Sequence, residues 1–159
     1  MTSLKDITHS LILTAGLLVL PLSGCDTNTV SHHYCHIPPE GWRRNDTVCL
    51  HTDTLQQDGT YQLSIGLRCN DKYPYKSIWV VIENYFSPPL LAWHDTVECQ
   101  LVDSLNRMQR GIRVYQYDIP ASRRQLHKGQ AGQIRIWHYM QQENLPGIMD
   151  VGIRIQRTQ

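Results

Sequence analysis

Five cysteines are the residues of this chain best suited to covalent chemistry, and Cys25 stands apart from the other four. It ends the stretch 22–25 (LSGC) and follows an apolar run over residues 11–20. A polar start, an apolar run and small residues before a cleavage point are typical of a secretory signal peptide. The run covers about half of the ~20 residues that a transmembrane helix needs. The sequence therefore predicts a cleaved signal peptide over residues 1–24.

The stretch 22–25 also resembles the bacterial lipobox, in which the cysteine thiol takes a diacylglyceryl group and the peptide is cut before it. The new amino terminus is then fatty-acylated. This resemblance implies that Cys25 is a lipidation site carrying covalent diacylglyceryl and fatty acyl groups, and no other cofactor is expected. Each buried methylene contributes about 0.8 kcal/mol, so several acyl chains bind a protein firmly to a lipid bilayer. The alternative is an ordinary signal peptide that contains a cysteine.

If Cys25 is acylated, four cysteines remain, an even number in an oxidising compartment: Cys35, Cys49, Cys69 and Cys99. A disulfide between Cys49 and Cys69 is disfavoured, because the alternation of apolar residues predicts that Cys49 points outward and Cys69 inward. Cys69 and Cys99 both fall on inward positions and form the better candidate pair. The alternative is that all four are buried or half-buried free thiols.

Three histidines beside a cysteine, His32, His33 and His36 with Cys35, suggest a metal site. On a strand, however, His32 and His36 face one side while His33 and Cys35 face the other. No second pair of ligands with zinc-site spacing follows. The sequence therefore favours an exposed, histidine-rich first strand, and no metal ligand is predicted.

The motifs of common hydrolases and nucleotide-binding enzymes are missing: there is no Gly-x-Ser-x-Gly, no phosphate-binding glycine loop and no His-Glu-x-x-His. Four carboxylates could pair as the acid and base of a glycosidase, namely Glu83, Asp95, Glu98 and Asp118. Nothing in their spacing selects one pair, and solvated carboxylates on strands explain them equally well. We expect no catalytic residue and no enzymatic activity.

The chain after Cys25 reads as a polar tether over residues 25–31 and one β-domain over 32–159. Short segments of alternating or continuous apolar residues, separated by turn residues, predict strands near 32–36, 46–53, 61–69, 78–82, 90–102, 112–119, 133–140 and 151–155. Residues 78–82 are apolar on both faces, which favours an interior strand covered on both sides or the centre of a sheet. Only 104–111 could hold a helical turn. The fold class is therefore all-β, a single antiparallel β-sandwich of about eight strands.

Formal charge is nearly balanced at +1, but it is unevenly distributed. One segment, 104–138, carries a single carboxylate, Asp118, against seven cations: Arg107, Arg110, Arg113, Arg123, Arg124, Lys128 and Arg135. Such a segment could meet lipid phosphates or an acidic partner, although solvated loops and outward strand faces explain it more simply. Export to a membrane argues against nucleic acid as a partner.

Four aromatic residues are candidates for a surface that binds a partner. Tyr73 and Tyr75 lie in one loop, where they either form such a surface or cover the end of the sandwich with their hydroxyls in water. Trp79 and Trp137 fall opposite the main apolar positions of their strands and are expected to be exposed. Trp93 shares the inward positions of its strand and is expected in the core.

Segments along the whole domain resemble one known family, and the last is the most specific. They are 41–42 (GW) with 46–48 (DTV), 65–68 (IGLR), 71–75 (DKYPY), 95–98 (DTVE), 117–120 (YDIP) and 143–155 (ENLPGIMDVGIRI). Together they resemble the gliding-motility lipoprotein GldH family of Bacteroidetes. Within the last segment, Gly147 and Gly152 mark places where the backbone needs a special φ or approaches another chain closely. The chain departs from the family at 103–109, where members often show a glycine-tryptophan segment.

The resemblance implies a lipid-anchored protein of the cell envelope, in the outer membrane, that works with the gliding apparatus and the secretion machinery it shares. It implies no cofactor and no catalytic residue. A lipid anchor, a tether and a sandwich suit a scaffold or adaptor whose partners are the bilayer, through Cys25, and other envelope proteins. The alternative is a surface lipoprotein that binds glycans by stacking sugars on Trp42, Trp79, Trp93 or Trp137.

Overall fold

A computed structural model describes residues 28–102 and 114–158, so Cys25, the signal peptide and the segment predicted as a helical turn lie outside the described residues. Ten strands occur in the described parts: β1 (Thr29–His36), β2 (Trp42–Arg43), β3 (Val48–His51), β4 (Gly59–Cys69), β5 (Ser77–Ser87), β6 (Leu91–Gln100), β7 (Tyr115–Leu126), β8 (Ala131–His138), β9 (Asn144–Leu145) and β10 (Ile148–Arg157). Those ranges contain no helix that could span a bilayer.

Eight of the strands form two antiparallel four-stranded sheets, which confirms the predicted all-β sandwich. The first sheet has the order β1-β10-β4-β7, and the second has the order β3-β8-β5-β6. The sheets approach each other along both margins, because β1 contacts β3 and β6 contacts β7. These eight strands correspond to the eight predicted ones. The two additional strands, β2 and β9, form a small separate sheet that the sequence analysis did not predict.

The core lies between the two sheets and is built from the inward side chains of alternating strands. In β10, Val151, Ile153 and Ile155 point inward and are fully buried, as predicted. Other fully buried side chains come from β4, β5 and β8: Leu63, Ile65, Leu67, Ile78, Val80, Ile134 and Ile136. Burying each such aliphatic side chain contributes about 1.5–3 kcal/mol relative to leaving it in water.

Two strands differ in detail from the sequence prediction. β5 is an interior strand between β8 and β6, as expected, but only one of its faces is covered, because the Trp79 side chain is 42% exposed. β7 continues past the predicted end at residue 119 to Leu126. A shift in its register with β4, between Leu63 and Ser64, lets the pairing continue beyond Pro120.

The two glycines of the final segment have the roles predicted for them. Gly147 has a φ of +81° in the turn before β10, a backbone conformation that residues other than glycine rarely adopt. Gly152 lies in β10 with extended backbone, but a Cβ there would come within 2.4 Å of the His33 carbonyl oxygen and 2.6 Å of the Tyr34 ring. Its lack of a side chain therefore permits a close approach of β1.

The sandwich has two ends that matter for function. We call the end where β1 begins the tether end; the connections 52–58, 88–90 and 127–130 lie there because their strands run antiparallel. We call the opposite end the far end; it carries the connections 37–47, 70–76 and 139–147 and the small β2–β9 sheet.

Candidate interaction surface

Trp79 and Trp137 lie together on the outer face of the second sheet, as their sequence positions predicted. In β5 the neighbours of Trp79 are buried in the core, so its indole points outward and is 42% exposed. Trp137 alternates in the same way in β8 and is half-buried. Val81 is the register partner of Trp137, so the two tryptophans are diagonal neighbours on adjacent strands.

Two residues after β8 extend this surface toward the far end. The Tyr139 amide donates a hydrogen bond to the Trp79 carbonyl oxygen at 2.7 Å, and the Tyr139 ring is 71% exposed. The Trp79 amide in turn lies 3.4 Å from Sδ of Met140. Trp79, Trp137, Tyr139 and Met140 thus form one continuous surface, which we call the aromatic patch.

Arg44 fixes the backbone that carries the end of this patch. Its guanidinium donates to the Met140 carbonyl oxygen at 2.7 Å and also to the Gln141 carbonyl oxygen. The Arg44 amide donates to the Glu143 carbonyl oxygen at 2.8 Å, next to the small sheet that pairs β2 with β9. The small sheet therefore serves to hold Arg44, and through Arg44 the loop 139–141.

The aromatic patch borders two clefts that share Arg44 and Tyr139. The larger, of about 570 Å³, is also lined by Trp79, Thr96, Met140 and Gln141. The smaller, of about 440 Å³, is lined by Trp137 together with Asn45, Thr47, Glu83, Arg135 and His138. Tyr139 lines both clefts, and each cleft brings apolar side chains next to hydrogen-bonding groups.

Trp42 and His138 form the buried floor behind the patch. Trp42 is fully buried, its indole Nε1 donates to the Asp46 carbonyl oxygen at 2.7 Å, and its ring packs edge-on against His138 at 5.3 Å between centroids. Burial lowers the pKa of His138, because the cationic imidazolium would lose water. Trp42 is thus unavailable for stacking a sugar, which corrects one option of the glycan hypothesis.

Tyr73 and Tyr75 lie away from the patch, and the prediction that Tyr73 belongs to a partner surface is wrong. Tyr73 is buried at the far end, and its hydroxyl donates to the Ser77 carbonyl oxygen at 2.9 Å rather than to water. Burial raises the pKa of Tyr73 far above its usual value. Tyr75 is half-buried and packs edge-on against Tyr73 at 5.5 Å. The pair closes the core beside Gly147, whose Cβ would meet the Tyr73 amide.

The predicted disulfide between Cys69 and Cys99 is not formed; both are buried free thiols, which is the alternative that the sequence left open. Loss of water raises the pKa of Cys69 to about 11 and that of Cys99 to about 12, so neither is a reactive thiolate at neutral pH. Cys49 is exposed, as its alternation predicted, and Cys35 is half-buried.

The histidines of β1 point to different neighbours, as the strand alternation predicted. His33 faces Asp53 at 3.9 Å, whereas His36 faces Asp150 at 3.2 Å. In the two described ranges, no group of three or more potential ligands comes together in a way that could hold a metal ion.

The candidate carboxylates have separate neighbours, and three of the four face an arginine. Glu83 lies 2.9 Å from Arg135 and Asp95 lies 3.6 Å from Arg124. Asp118 and its partner Arg154, 4.0 Å apart, both belong to the first sheet. The fourth, Glu98, is exposed on β6. Asp118 therefore lies on a different sheet from the other three.

The described cations of segment 104–138 lie on outward faces and loops, as expected, since Arg123, Arg124, Lys128 and Arg135 are all exposed. Arg107, Arg110 and Arg113 lie outside the described residues. Of the four described cations, Arg124 and Arg135 face carboxylates and so do not present free positive charge.

The outer face of the first sheet has a different character. The Tyr34 ring lies flat across Gly152 and Gly66, which occupy adjacent strands, and a Cβ on Gly66 would meet the Tyr34 hydroxyl at 2.4 Å. The Arg68 guanidinium covers the other side of the ring at 4.1 Å from its centroid. Burial, followed by the charge of Asp118, raises the pKa of Tyr34. We call these five residues the tyrosine–glycine face.

Sequence reasoning missed Tyr139 and Arg44. A signal for Tyr139 exists, because it follows Trp137 by two residues and so continues the outward side of β8. No local pattern identifies Arg44, whose role depends on a loop nearly a hundred residues later in the chain.

Comparison with known proteins supports the family resemblance noted in the sequence. A search of curated proteins finds no match to the chain. A family model described as GldH lipoprotein matches residues 29–155, which spans the sandwich from β1 nearly to the end of β10. The matched region contains both outer faces described above. Because the model covers most of the sequence, the chain belongs to the GldH lipoprotein family, whose members are gliding-motility-associated, membrane-anchored lipoproteins of the cell envelope.

Proposed function

We propose that this protein is a non-catalytic adaptor that binds another envelope protein through the aromatic patch. The observation that carries this proposal is the cluster of outward rings on one sheet face, the exposed Trp79 and Tyr139 with the half-buried Trp137, whose supporting loop is held by Arg44. Protein interfaces are enriched in tryptophan, tyrosine, methionine and arginine, the residue types that meet here.

The anchor in this proposal is Cys25, acylated after removal of residues 1–24, in the outer membrane. Its partners are the lipid bilayer and other envelope proteins of the gliding and secretion apparatus. No cofactor takes part apart from the covalent acyl groups, and no bond of a substrate is broken. Membership of a lipoprotein family supports the anchor, and the dispersal of the candidate carboxylates supports a binding role.

The arrangement of the aromatic patch matches the anatomy of a protein interface. Its centre consists of the Trp79 and Tyr139 rings and the Met140 thioether, while Thr96 and Gln141 provide hydrogen-bonding groups at the rim. A partner side chain placed between the rings would lose contact with water, which is the condition under which aromatic residues contribute most to affinity. We therefore expect Trp79, together with Trp137 in the neighbouring cleft, to contribute most of the binding energy.

The test is cross-linking and pull-down of the full-length tagged protein from membranes of cells that make it. Replacing both Trp79 and Trp137 by alanine should lower the recovery of the bound envelope protein by roughly tenfold or more. Tyr85→Ala is the matched control, since Tyr85 is an outward aromatic on the same strand, 37% exposed, near the opposite end. It should leave recovery unchanged.

The proposal fails if no envelope protein is recovered with the unchanged chain, or if recovery is the same from the double variant. Fatty-acid labelling of the same samples tests the anchor separately. Label should be incorporated in the unchanged chain and in the tryptophan variant, and it should be absent from Cys25→Ala.

Glycan binding is a second candidate, favoured by the two clefts in which aromatic rings stand beside groups that can hydrogen-bond sugar hydroxyls, such as Arg44 and Gln141. Glycan-array binding of the full-length protein in detergent separates the two functions. A reproducible hit that Trp137→Ala removes would favour the glycan, whereas an absence of hits together with a recovered protein partner would favour the adaptor.

A further inference from the structure

The turn between β5 and β6 carries consecutive apolar residues in a position where polar turn residues are usual. Pro88, Pro89 and Leu90 are all exposed, and the following Leu91 is 37% exposed. At 75%, Leu90 is the most exposed large apolar side chain in the described part of the molecule. Glycine, asparagine and aspartate normally dominate tight turns because of their backbone freedom and hydrogen bonding. We call residues 88–91 the apolar tip.

A chain of contacts places the apolar tip at the same end as the start of β1. Asn28 and Thr29 share a cleft of about 460 Å³ with residues of the connection 52–58. The Leu55 amide in that connection donates to the Gln130 carbonyl oxygen at 2.8 Å. The Gln130 side-chain amide in turn donates to the Pro89 carbonyl oxygen at 3.2 Å. The tip is therefore part of the tether end.

The tether leaves little distance between this end and a lipid anchor. Thr29 follows Cys25 by four residues, and a fully extended chain of that length spans at most about 14 Å. We propose that the apolar tip inserts into the same bilayer that holds the acylated Cys25, as a second, non-covalent membrane contact. This inference rests on the proposed lipid anchor.

Charge at the tether end favours an apolar contact over an ionic one. Among the described residues of this end, four cations (Arg123, Arg124, Lys128 and Arg157) stand against three carboxylates (Asp53, Asp58 and Asp95), so their net charge is small. Asp58 is itself engaged, because it accepts hydrogen bonds from the Lys128 amide at 2.9 Å and faces Nδ1 of His127 at 3.3 Å. Insertion of the tip therefore needs no anionic lipid and resists salt.

Two contacts with the bilayer restrict the orientation of the domain, whereas the tether alone would let it pivot. With the tip in the membrane, the strands stand away from the surface and the far end points outward. The aromatic patch lies toward that far end, since Trp79 is near the start of β5 and Tyr139 follows β8. The tip therefore presents the patch to partners beyond the lipid surface.

The experiment uses the full-length acylated protein, reconstituted into phosphatidylcholine vesicles that contain a phosphatidylcholine with a diazirine in its acyl chain. After illumination, mass spectrometry locates the cross-linked residues. Cross-links are expected at residues 88–91 and should persist at about 0.5 M salt. Leu90→Asp should lower their yield roughly tenfold. Val114→Asp is the matched control, because Val114 is 40% exposed and lies just before β7 at the far end; it should have no effect.

The outcomes separate the tip from the anchor. Fatty-acid label at Cys25 without cross-links at the tip, or with equal yields from Leu90→Asp and the unchanged chain, overturns the membrane contact and leaves the anchor standing. Absence of label overturns the anchor and this inference with it. Thermal unfolding of Leu90→Asp near that of the unchanged chain shows that loss of cross-links reflects the tip and not the fold.

Discussion

The two outer faces of the sandwich are built from similar strands but use their aromatic residues in opposite ways. On the tyrosine–glycine face, Tyr34 lies against two glycines and beneath Arg68, so its ring is already in contact with the protein itself. On the aromatic patch, Trp79 and Tyr139 extend into solvent. An aromatic ring bound within the fold contributes stability, whereas a ring left in water is available to another molecule.

This difference also separates the segments that carry the family resemblance. Gly66, Arg68, Asp118 and Gly152 belong to those segments and meet on the tyrosine–glycine face. The residues of the aromatic patch lie outside them. The segments on which the resemblance was first noticed therefore contribute to the tyrosine–glycine face, whereas the aromatic patch lies between them within the matched region 29–155.

The largest expected effect is on stability, and it distinguishes Trp42, which is buried behind the aromatic patch, from Trp79, which belongs to the patch. Trp42→Ala removes a fully buried ring and should lower the free energy of unfolding by about 3–5 kcal/mol. Trp79→Ala removes a ring that is 42% exposed and should cost less than about 1 kcal/mol. Urea unfolding measures both. Equal losses would mean that the aromatic patch is structural and would remove the distinction between the faces.

The next prediction, with a smaller effect on stability, tests whether Tyr34 packs directly against the glycines of the tyrosine–glycine face. Gly66→Ala should lower the free energy of unfolding by about 1–3 kcal/mol, because the three atoms nearest to the new Cβ all belong to the Tyr34 ring and hydroxyl. In a Tyr34→Ala background most of that cost should disappear. Gly152→Ala is the control, since its Cβ also meets the His33 carbonyl oxygen and should remain costly in both backgrounds. Additive losses in the Gly66 cycle would contradict the packing described here.

A smaller effect concerns the floor of the aromatic patch at low pH. Because burial lowers the pKa of His138 in the folded state, its contribution to stability is present above the unfolded-state pKa of about 6.5 and is lost as pH falls through the folded-state pKa. The free energy of unfolding should therefore decrease more steeply below about pH 6.5 in the unchanged chain than in His138→Gln. His51→Gln, at an exposed position, is the control and should keep the unchanged profile.

The last prediction has the smallest effect on stability and concerns thiol reactivity, which should differ strongly between exposed and buried cysteines. In the folded protein a maleimide should modify Cys49 on the outer face of β3 but neither Cys69 nor Cys99, whose pKa values burial raises to about 11 and about 12. Both inner thiols should react after unfolding in urea. A Cys69–Cys99 cross-linked peptide in the non-reduced protein would contradict the structure.

Strands and their faces could be predicted from the sequence because a two-residue period reports directly which side chains point inward. This is why β4 and β10, the outward positions of Trp79 and Trp137, and the exposure of Cys49 agree with expectation. The same period fails outside strands. Tyr73 lies in a loop whose path is set by contacts with the turn at Gly147, so nothing near it in sequence indicated that it is buried.

Features that depend on distant segments were also beyond sequence reasoning. The small β2–β9 sheet contains two residues per strand and exists because Trp42 pairs with Leu145 across the far end. Arg44 reaches the loop after β8 through that pairing. The end of β7 was missed because proline at position 120 normally interrupts pairing, and only the register shift opposite it allows the ladder to continue.

The pairing of β1 with β10 has a mechanical consequence for a protein attached at its amino terminus. Tension between the anchor and a docked partner runs parallel to β1, from its first residue toward the far end. The residue pairs between β1 and β10, from Thr29 with Gln156 to His36 with Asp150, are then loaded in shear, so they carry the force together instead of breaking one after another. The strand that follows the lipid is thus joined to the rest of the domain in the geometry that best withstands traction.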